Sequence, residues 1–159
     1  MDFIELLKAE NSVRTKVKDV TNWKEAVIEA CKPLLETKAI TKDYLGSIIA
    51  STEQFGAYYI ITEQVAMPNA SHGKWVRRNS ISLVTLAKPI FFPNDDRPIN
   101  ILVALAPVDA DFHASQLPQV LAIFEDLENI EMLSKARKPD DVYEILSTVD
   151  LNKYLRGDE

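Results

Sequence analysis

Two histidines are the residues of this sequence best suited to nucleophilic chemistry. His72 lies in the stretch QVAMPNASHG (64–73), and His113 lies in VDADFHASQ (108–116). Each follows an apolar run typical of a strand, and α/β proteins place their sites at such strand-to-loop junctions. A neutral imidazole attacks phosphorus near neutral pH, and a second imidazole can orient the first or donate to phosphoryl oxygens. If the two strands are neighbours, the two rings are predicted to approach each other.

Blander interpretations stand beside this one. His72 would be a solvated loop residue, and His113 would be a helix-start residue satisfied by local backbone. The two histidines with Asp109 and Asp111 could also form a metal site, although no dedicated ligand spacing is present. The two aspartates fit better as helix-capping carboxylates, so no metal is expected.

The segment KWVRRN (74–79) places three cations, Lys74, Arg77 and Arg78, beside a tryptophan. Such a cluster is either a solvated face or a clamp for an anionic group such as a phosphoryl. Glycine-rich nucleotide motifs and the G-x-S-x-G motif of hydrolases are absent from the sequence, and no cofactor is expected.

The sequence has 159 residues, and its length and composition predict one globular domain over 1–159. The formal charge of −6 argues against nucleic acid as the main partner, and it leaves room for a basic protein surface. Cys31 is the lone cysteine, and it is expected on the apolar side of a helix, in the core of the protein. The first residues lack a signal-peptide core, and no apolar run is long enough to span a bilayer, so a cytoplasmic location is expected. The oligomeric state stays open from the sequence, because no heptad or obvious exposed apolar stripe stands out.

The periodicity of apolar residues predicts helices, then strands, then helices. Continuous apolar character at 99–106 indicates a strand buried on both faces, hence a sheet covered by helices on each side. The predicted helices are 21–38, 41–56, 114–127, 129–137 and 140–149, and the predicted strands are 57–62, 80–86 and 99–106, with an edge strand and turn within 88–98. Pro33 is expected to kink or shorten the first helix, and Pro118 to lie in the first turn of the third.

The stretch VAMPNASHGKWVRRNSISLVTLAKPIFF (65–92) resembles the active-site segment of the enzyme IIA (EIIA) components of the bacterial phosphoenolpyruvate:sugar phosphotransferase system. The resemblance is to the mannitol/fructose type, and within it to the ascorbate-specific subgroup. It continues through PINILVALAPVDADFH (98–113) and IFEDLENIEMLSKARKPDDVYEIL (123–146) and is clearest over 13–146. It implies a mixed β-sheet with helices on both faces.

The resemblance also implies a phosphoryl carrier, which accepts the group from the phosphocarrier protein HPr and passes it to a cysteine of the enzyme IIB (IIB) component. The membrane permease would be reached only indirectly. In the family, the acceptor histidine follows an A-[apolar]-P tripeptide, which matches residues 66–68. The supporting histidine of the family matches His113. The residue after the tripeptide is Asn69, where the family pattern has the acceptor histidine.

Three explanations of Asn69 remain open from the sequence. His72 could substitute as acceptor, although three extended residues span about 10 Å, so the loop would have to fold back. The domain could instead be a non-phosphorylatable regulatory or binding module. Asn69 could also be an engineered substitution of an active chain.

Overall fold

The computed structural model describes residues 1–71 and 73–155. Six helices and seven strands are present in the described part of the chain. In chain order they are α1 (Phe3–Glu10), β1 (Val13–Val17), α2 (Trp23–Glu36), α3 (Lys42–Phe55), β2 (Ile60–Thr62), β3 (Gln64–Ala66), β4 (Ser80–Ile81), β5 (Leu83–Ile90), β6 (Ile99–Leu102), β7 (Leu105–Ala106), α4 (Ala110–Phe124), α5 (Leu127–Lys135) and α6 (Pro139–Ser147). No described helix has the length and apolar character needed to cross a bilayer.

Five strands form one mixed sheet in the order β1-β5-β6-β3-β2. The pairs β1–β5 and β3–β6 are parallel, whereas β5–β6 and β2–β3 are antiparallel. The short strands β4 and β7 pair separately and antiparallel. The predicted mixed sheet is therefore confirmed.

Helices cover both faces of this sheet, as predicted. Successive strand residues point to opposite faces, so Val65 packs with α1, α4, α5 and α6, while Ala66 packs with α2 and α3. Ile101 and Leu102 divide in the same way. Each face thus has its own apolar core, and the strand ends lie between the two helical layers.

Several predicted boundaries were wrong. The first 17 residues received no element, although they form α1 and β1. No strand was predicted between residues 62 and 80, but Gln64–Ala66 forms β3 and pairs with both β2 and β6. The strand predicted over 99–106 is divided into β6 and β7. The strand predicted over 80–86 is likewise divided at Ser82, whose backbone N–H donates to Ala104 and whose hydroxyl donates to Ala30.

Pro33 does not end its helix, and Pro118 lies deeper in its helix than predicted. Helix α2 continues through Pro33 to Glu36, with Pro33 buried inside it. Helix α4 begins at Ala110, four residues before the predicted start at 114. Pro118 therefore lies inside α4 rather than in its first turn, and His113 lies within the helix rather than before it.

Candidate functional site

A cleft of about 780 Å³ opens where β3 and β7 end, and both Asn69 and His113 line it. Its described lining is Ser47, Ser51, Phe55, Tyr58, Asn69, Ala70, Ser71, Trp75, Pro107, Ala110 and His113. Asn69 and His113 also line a neighbouring cavity of about 400 Å³. The structure thus brings together two of the residues that the sequence singled out.

Asn69 is positioned by the end of β3. Hydrogen bonding to the neighbouring segment continues beyond β3 as far as Pro68, whose carbonyl accepts from the Leu105 N–H at 3.0 Å. The Asn69 side chain then turns back, and its Nδ2 donates to the Met67 carbonyl at 2.7 Å. The amide nitrogen is therefore already a donor to backbone, and an amide nitrogen has no basic lone pair with which to attack phosphorus.

The peptide group that joins Asn69 to Ala70 is bound at both ends. Its carbonyl accepts from the Tyr58 hydroxyl at 2.7 Å, and its N–H donates to the Tyr44 hydroxyl at 3.1 Å. Tyr44 in turn donates to the Leu105 carbonyl at 2.7 Å. Burial raises the pKa of Tyr44 well above its usual range, so its hydroxyl remains neutral and can both donate and accept.

His113 reaches the cleft through a capped helix start. Asp109 is the N-cap of α4, and its carboxylate accepts from the Phe112 N–H at 2.9 Å. Just before the cap, the Val108 N–H donates to Asn79 Oδ1 at 2.7 Å. His113 follows in the first turn and is partly buried. The predicted capping role is confirmed for Asp109, whereas Asp111 is an exposed residue of the first turn.

The three loop cations are placed differently from one another, and none contributes to the described lining of the cleft. Lys74 lies over the ring of Trp75, with 5.2 Å from Nζ to the ring centroid. Arg77 is held through its backbone, whose N–H donates to the Ala39 carbonyl at 2.8 Å.

Arg78 is committed to a different contact. Its Nε and one terminal nitrogen donate to the two carboxylate oxygens of Glu10 at 2.7 and 2.8 Å, and the same terminal nitrogen donates to the Thr37 carbonyl. Hydrogen bonding from Arg78 lowers the pKa of Glu10 below its ordinary value of 4.5. Arg78 therefore fixes the end of the loop just before β4. Because its guanidinium is already bound to Glu10 and Thr37, Arg78 is poorly placed to contact a phosphoryl group.

Comparison with known proteins matches residues 5–149 to the family described as "Phosphoenolpyruvate-dependent sugar phosphotransferase system, EIIA 2". The chain belongs to this family. It is 36% identical over 156 residues to the ascorbate-specific PTS system EIIA component of Mycoplasma pneumoniae, with 98% of each chain covered.

Solved structures agree with this membership. A PTS IIA structure from Streptococcus mutans is 35% identical and superposes with a TM-score of 0.92, covering 99% of this chain and 100% of that one. The mannitol IIA protein of Escherichia coli, in a complex with phosphorylated IIB, is 17% identical with a TM-score of 0.74, covering 88% and 96%. At that identity the second likeness shows the fold alone.

The proposed substitute acceptor of this EIIA chain, His72, lies outside the described residues, so its approach to His113 stays a prediction. The metal alternative shared that residue. Among the residues that the structure does describe, no group of three or more histidine, cysteine, aspartate or glutamate side chains is placed to hold a metal ion.

Sequence reasoning missed the residues of α3 and its extension that build the cleft. Tyr44 was counted only as part of a helix, and Tyr58 only as part of a strand. Nothing in local periodicity predicts that their hydroxyls reach the same peptide group, since Tyr58 and Tyr44 lie 11 and 26 positions from the residues they bind.

Proposed function

We propose that this chain is the EIIA component of an ascorbate-specific phosphotransferase system, which takes a phosphoryl group from HPr and passes it to a cysteine of IIB. The observation that carries the proposal is the shared cleft of Asn69 and His113 in a chain of this family. The name of the Mycoplasma pneumoniae relative supports the ascorbate assignment, and the Escherichia coli complex supports IIB as a partner.

The surroundings of the cleft suit docking of a protein. Phe55 is 69% exposed and Trp75 is 37% exposed, and both line the cleft. Exposed aromatic side chains around a recessed polar centre are typical of the anchors of protein interfaces. Such a rim would exclude water while phosphorus moves from one protein to the other.

In this proposal the acceptor is His72, because Asn69 has no nucleophilic nitrogen. The imidazole of His72 would attack phosphorus as the phosphorus–nitrogen bond to HPr breaks, and the IIB thiolate would then displace the imidazole. His113 would donate to the phosphoryl oxygens during both steps. Since transfer of this kind rests on positioning and charge stabilisation, the loop must bring His72 beside His113.

A second candidate is a non-phosphorylatable module that keeps the docking surface and regulates the system by occupying its partners. The observation that favours it is the Asn69 side chain itself, which fills the acceptor position and hydrogen-bonds the Met67 carbonyl. In this case the cleft binds HPr or IIB without carrying phosphorus.

The test is a phosphorylation assay read by intact-protein mass. The chain is incubated with phosphoenolpyruvate, enzyme I and HPr at neutral pH, which preserves phosphohistidine. A gain of one phosphoryl mass that is absent in His72→Ala supports the carrier with a displaced acceptor. No gain in the native chain, with a gain in Asn69→His, supports the regulatory module.

The control in both arms is His113→Gln, which keeps a hydrogen-bond donor but removes the imidazole. It should slow the gain without abolishing the acceptor. Absence of a gain in the native chain and in Asn69→His alike would contradict an EIIA-type phosphoryl acceptor in this cleft.

A further inference from the structure

The feature that carries a further inference is the bound peptide between Asn69 and Ala70. Buried backbone groups are paired with other backbone groups, with side chains or with water. Here the oxygen and the N–H of one peptide are both bound by tyrosine hydroxyls, at 2.7 and 3.1 Å. We call Tyr44, Tyr58 and this peptide the tyrosine clamp.

Both tyrosines are themselves held. Tyr44 lies in the first turn of α3, is 1% exposed, and is fixed by its bond to the Leu105 carbonyl on β7. Tyr58 follows the end of the same helix, and its hydroxyl lies 3.3 Å from Ser51 Oγ. The clamp therefore ties the loop to one helix at two points and, through Tyr44, to β7.

Binding a peptide at both ends restricts its rotation. Turning the Asn69–Ala70 peptide would break both hydrogen bonds at once, and the Ala70 N–H would lose its bond to the buried Tyr44 hydroxyl. The clamp thus fixes ψ of Asn69 and φ of Ala70. These two angles set the direction of the residue-69 side chain relative to the held peptide, and the direction in which the backbone continues after that peptide.

We propose that Tyr44 and Tyr58 are positioning residues for phosphoryl transfer, which act by holding this peptide and touch neither the phosphoryl group nor the attacking atom. The inference rests on the proposed function, because it concerns the geometry of transfer in the same cleft. It does not depend on which residue accepts, since it concerns only the peptide between residues 69 and 70.

The kinetic test uses Asn69→His as the background and single-turnover transfer from phospho-HPr. Adding Tyr58→Phe should lower the rate at saturating phospho-HPr about tenfold, since a displacement of about 1 Å costs up to a hundredfold. The KM for phospho-HPr should not change. Tyr154 is not among the described residues that line the cleft and is bonded to Glu125, so Tyr154→Phe is the matched control and should keep the full rate.

Tyr44→Phe in the same background separates positioning from direct contact. Tyr44 is 1% exposed and cannot touch a docked partner, so a loss of rate at constant KM in this variant reflects positioning. The assay is run well below the Tm of each variant. A raised KM with an unchanged saturating rate in Tyr58→Phe would instead assign Tyr58 to docking and overturn the proposal.

A measurement without phosphorus completes the design. The ¹⁵N order parameter of the Ala70 amide should fall in Tyr58→Phe and should stay at the native value in Tyr154→Phe. An unchanged Ala70 amide, or full-rate transfer in the tyrosine variants, would overturn the clamp alone. Failure of Asn69→His to accept any phosphoryl would contradict the proposed function instead, so the two failures are distinguishable.

Discussion

The loop that carries Asn69 and the turn that carries His113 meet in one cleft but are held by different kinds of contact. The Asn69 loop is fixed by the hydroxyls of Tyr44 in α3 and Tyr58 after α3, whereas the His113 turn is fixed by its own helix cap. Contacts between distant parts of the chain form only when the whole fold is in place, while a cap stabilises its helix locally. The Asn69 side of the cleft therefore depends on the global fold, and the His113 side depends mainly on α4.

The strongest challenge to this contrast is Tyr44→Phe. It leaves the Ala70 N–H and the Leu105 carbonyl without the Tyr44 hydroxyl, and should lower the free energy of unfolding by about 2 kcal/mol. Urea denaturation measures the change. Tyr154→Phe removes a hydroxyl at an exposed site and serves as the reference, with an expected change below about 0.5 kcal/mol. Equal values for the two variants would mean that the loop does not depend on α3.

Asp109→Ala tests the local side of the comparison. Loss of the cap should lower the free energy of unfolding by about 1 kcal/mol and loosen the first turn of α4, where His113 lies. Asp109→Asn keeps a good capping side chain and should be close to the native chain. Thermal unfolding of the three proteins gives the order, and an unstable Asp109→Asn would contradict the capping role.

The Glu10–Arg78 ion pair fixes the end of the Asn69 loop just before β4, and it makes the free energy of unfolding depend on pH. Because the folded pKa of Glu10 is lowered, its stabilising contribution is complete above the ordinary value of 4.5 and is lost as the pH falls through the folded pKa. Glu10→Gln should therefore lower the free energy of unfolding by about 1 kcal/mol near neutral pH. The difference should shrink on acidification.

Urea denaturation at several pH values between about 7 and 3 measures that difference. Arg78→Gln is the matched variant, since it removes the charge that lowers the Glu10 pKa. A difference that grows toward acid pH would contradict the assigned direction of the shift.

The smallest expected effect belongs to the hydrogen bond that joins the two regions directly. Asn79 closes the Asn69 loop, and its Oδ1 accepts from Val108 just before the His113 turn. Asn79→Ala should lower the free energy of unfolding by about 0.5 kcal/mol. Asn79→Asp keeps an acceptor oxygen and should lose less, and the reverse order would indicate that this bond does not stabilise the fold.

The sequence predicted the parts of the fold that depend on local chemistry. Asp109 caps α4 as proposed, and the helix predicted over 41–56 is α3, which is followed by Gly56 with a positive φ of 80°. The two-sided apolar run at 99–106 indicated helices on both faces, because such a strand has no solvent-facing side. The family resemblance added the expectation that residue 69 and His113 belong to the same site, and both line one cleft.

The remainder depends on contacts that local patterns do not encode. Gln64–Ala66 is too short to show strand alternation, and it becomes β3 because two neighbouring strands pair with it. The interior position of Pro118 was missed because Asp109 starts α4 early. The tyrosine clamp could not be predicted, since it joins segments whose proximity exists only in the folded chain.

The clamp has a consequence for how this protein can change over generations. Its hydrogen bonds are to main-chain groups, the carbonyl of residue 69 and the N–H of residue 70. The placement of residue 69 by the clamp therefore does not depend on which side chain that residue bears. The codons for asparagine and histidine differ in their first base alone. A lineage that carries Asn69 is therefore a single point mutation away from one with an imidazole on the same scaffold, and loss or recovery of a nucleophile there requires no compensating change in the two tyrosines.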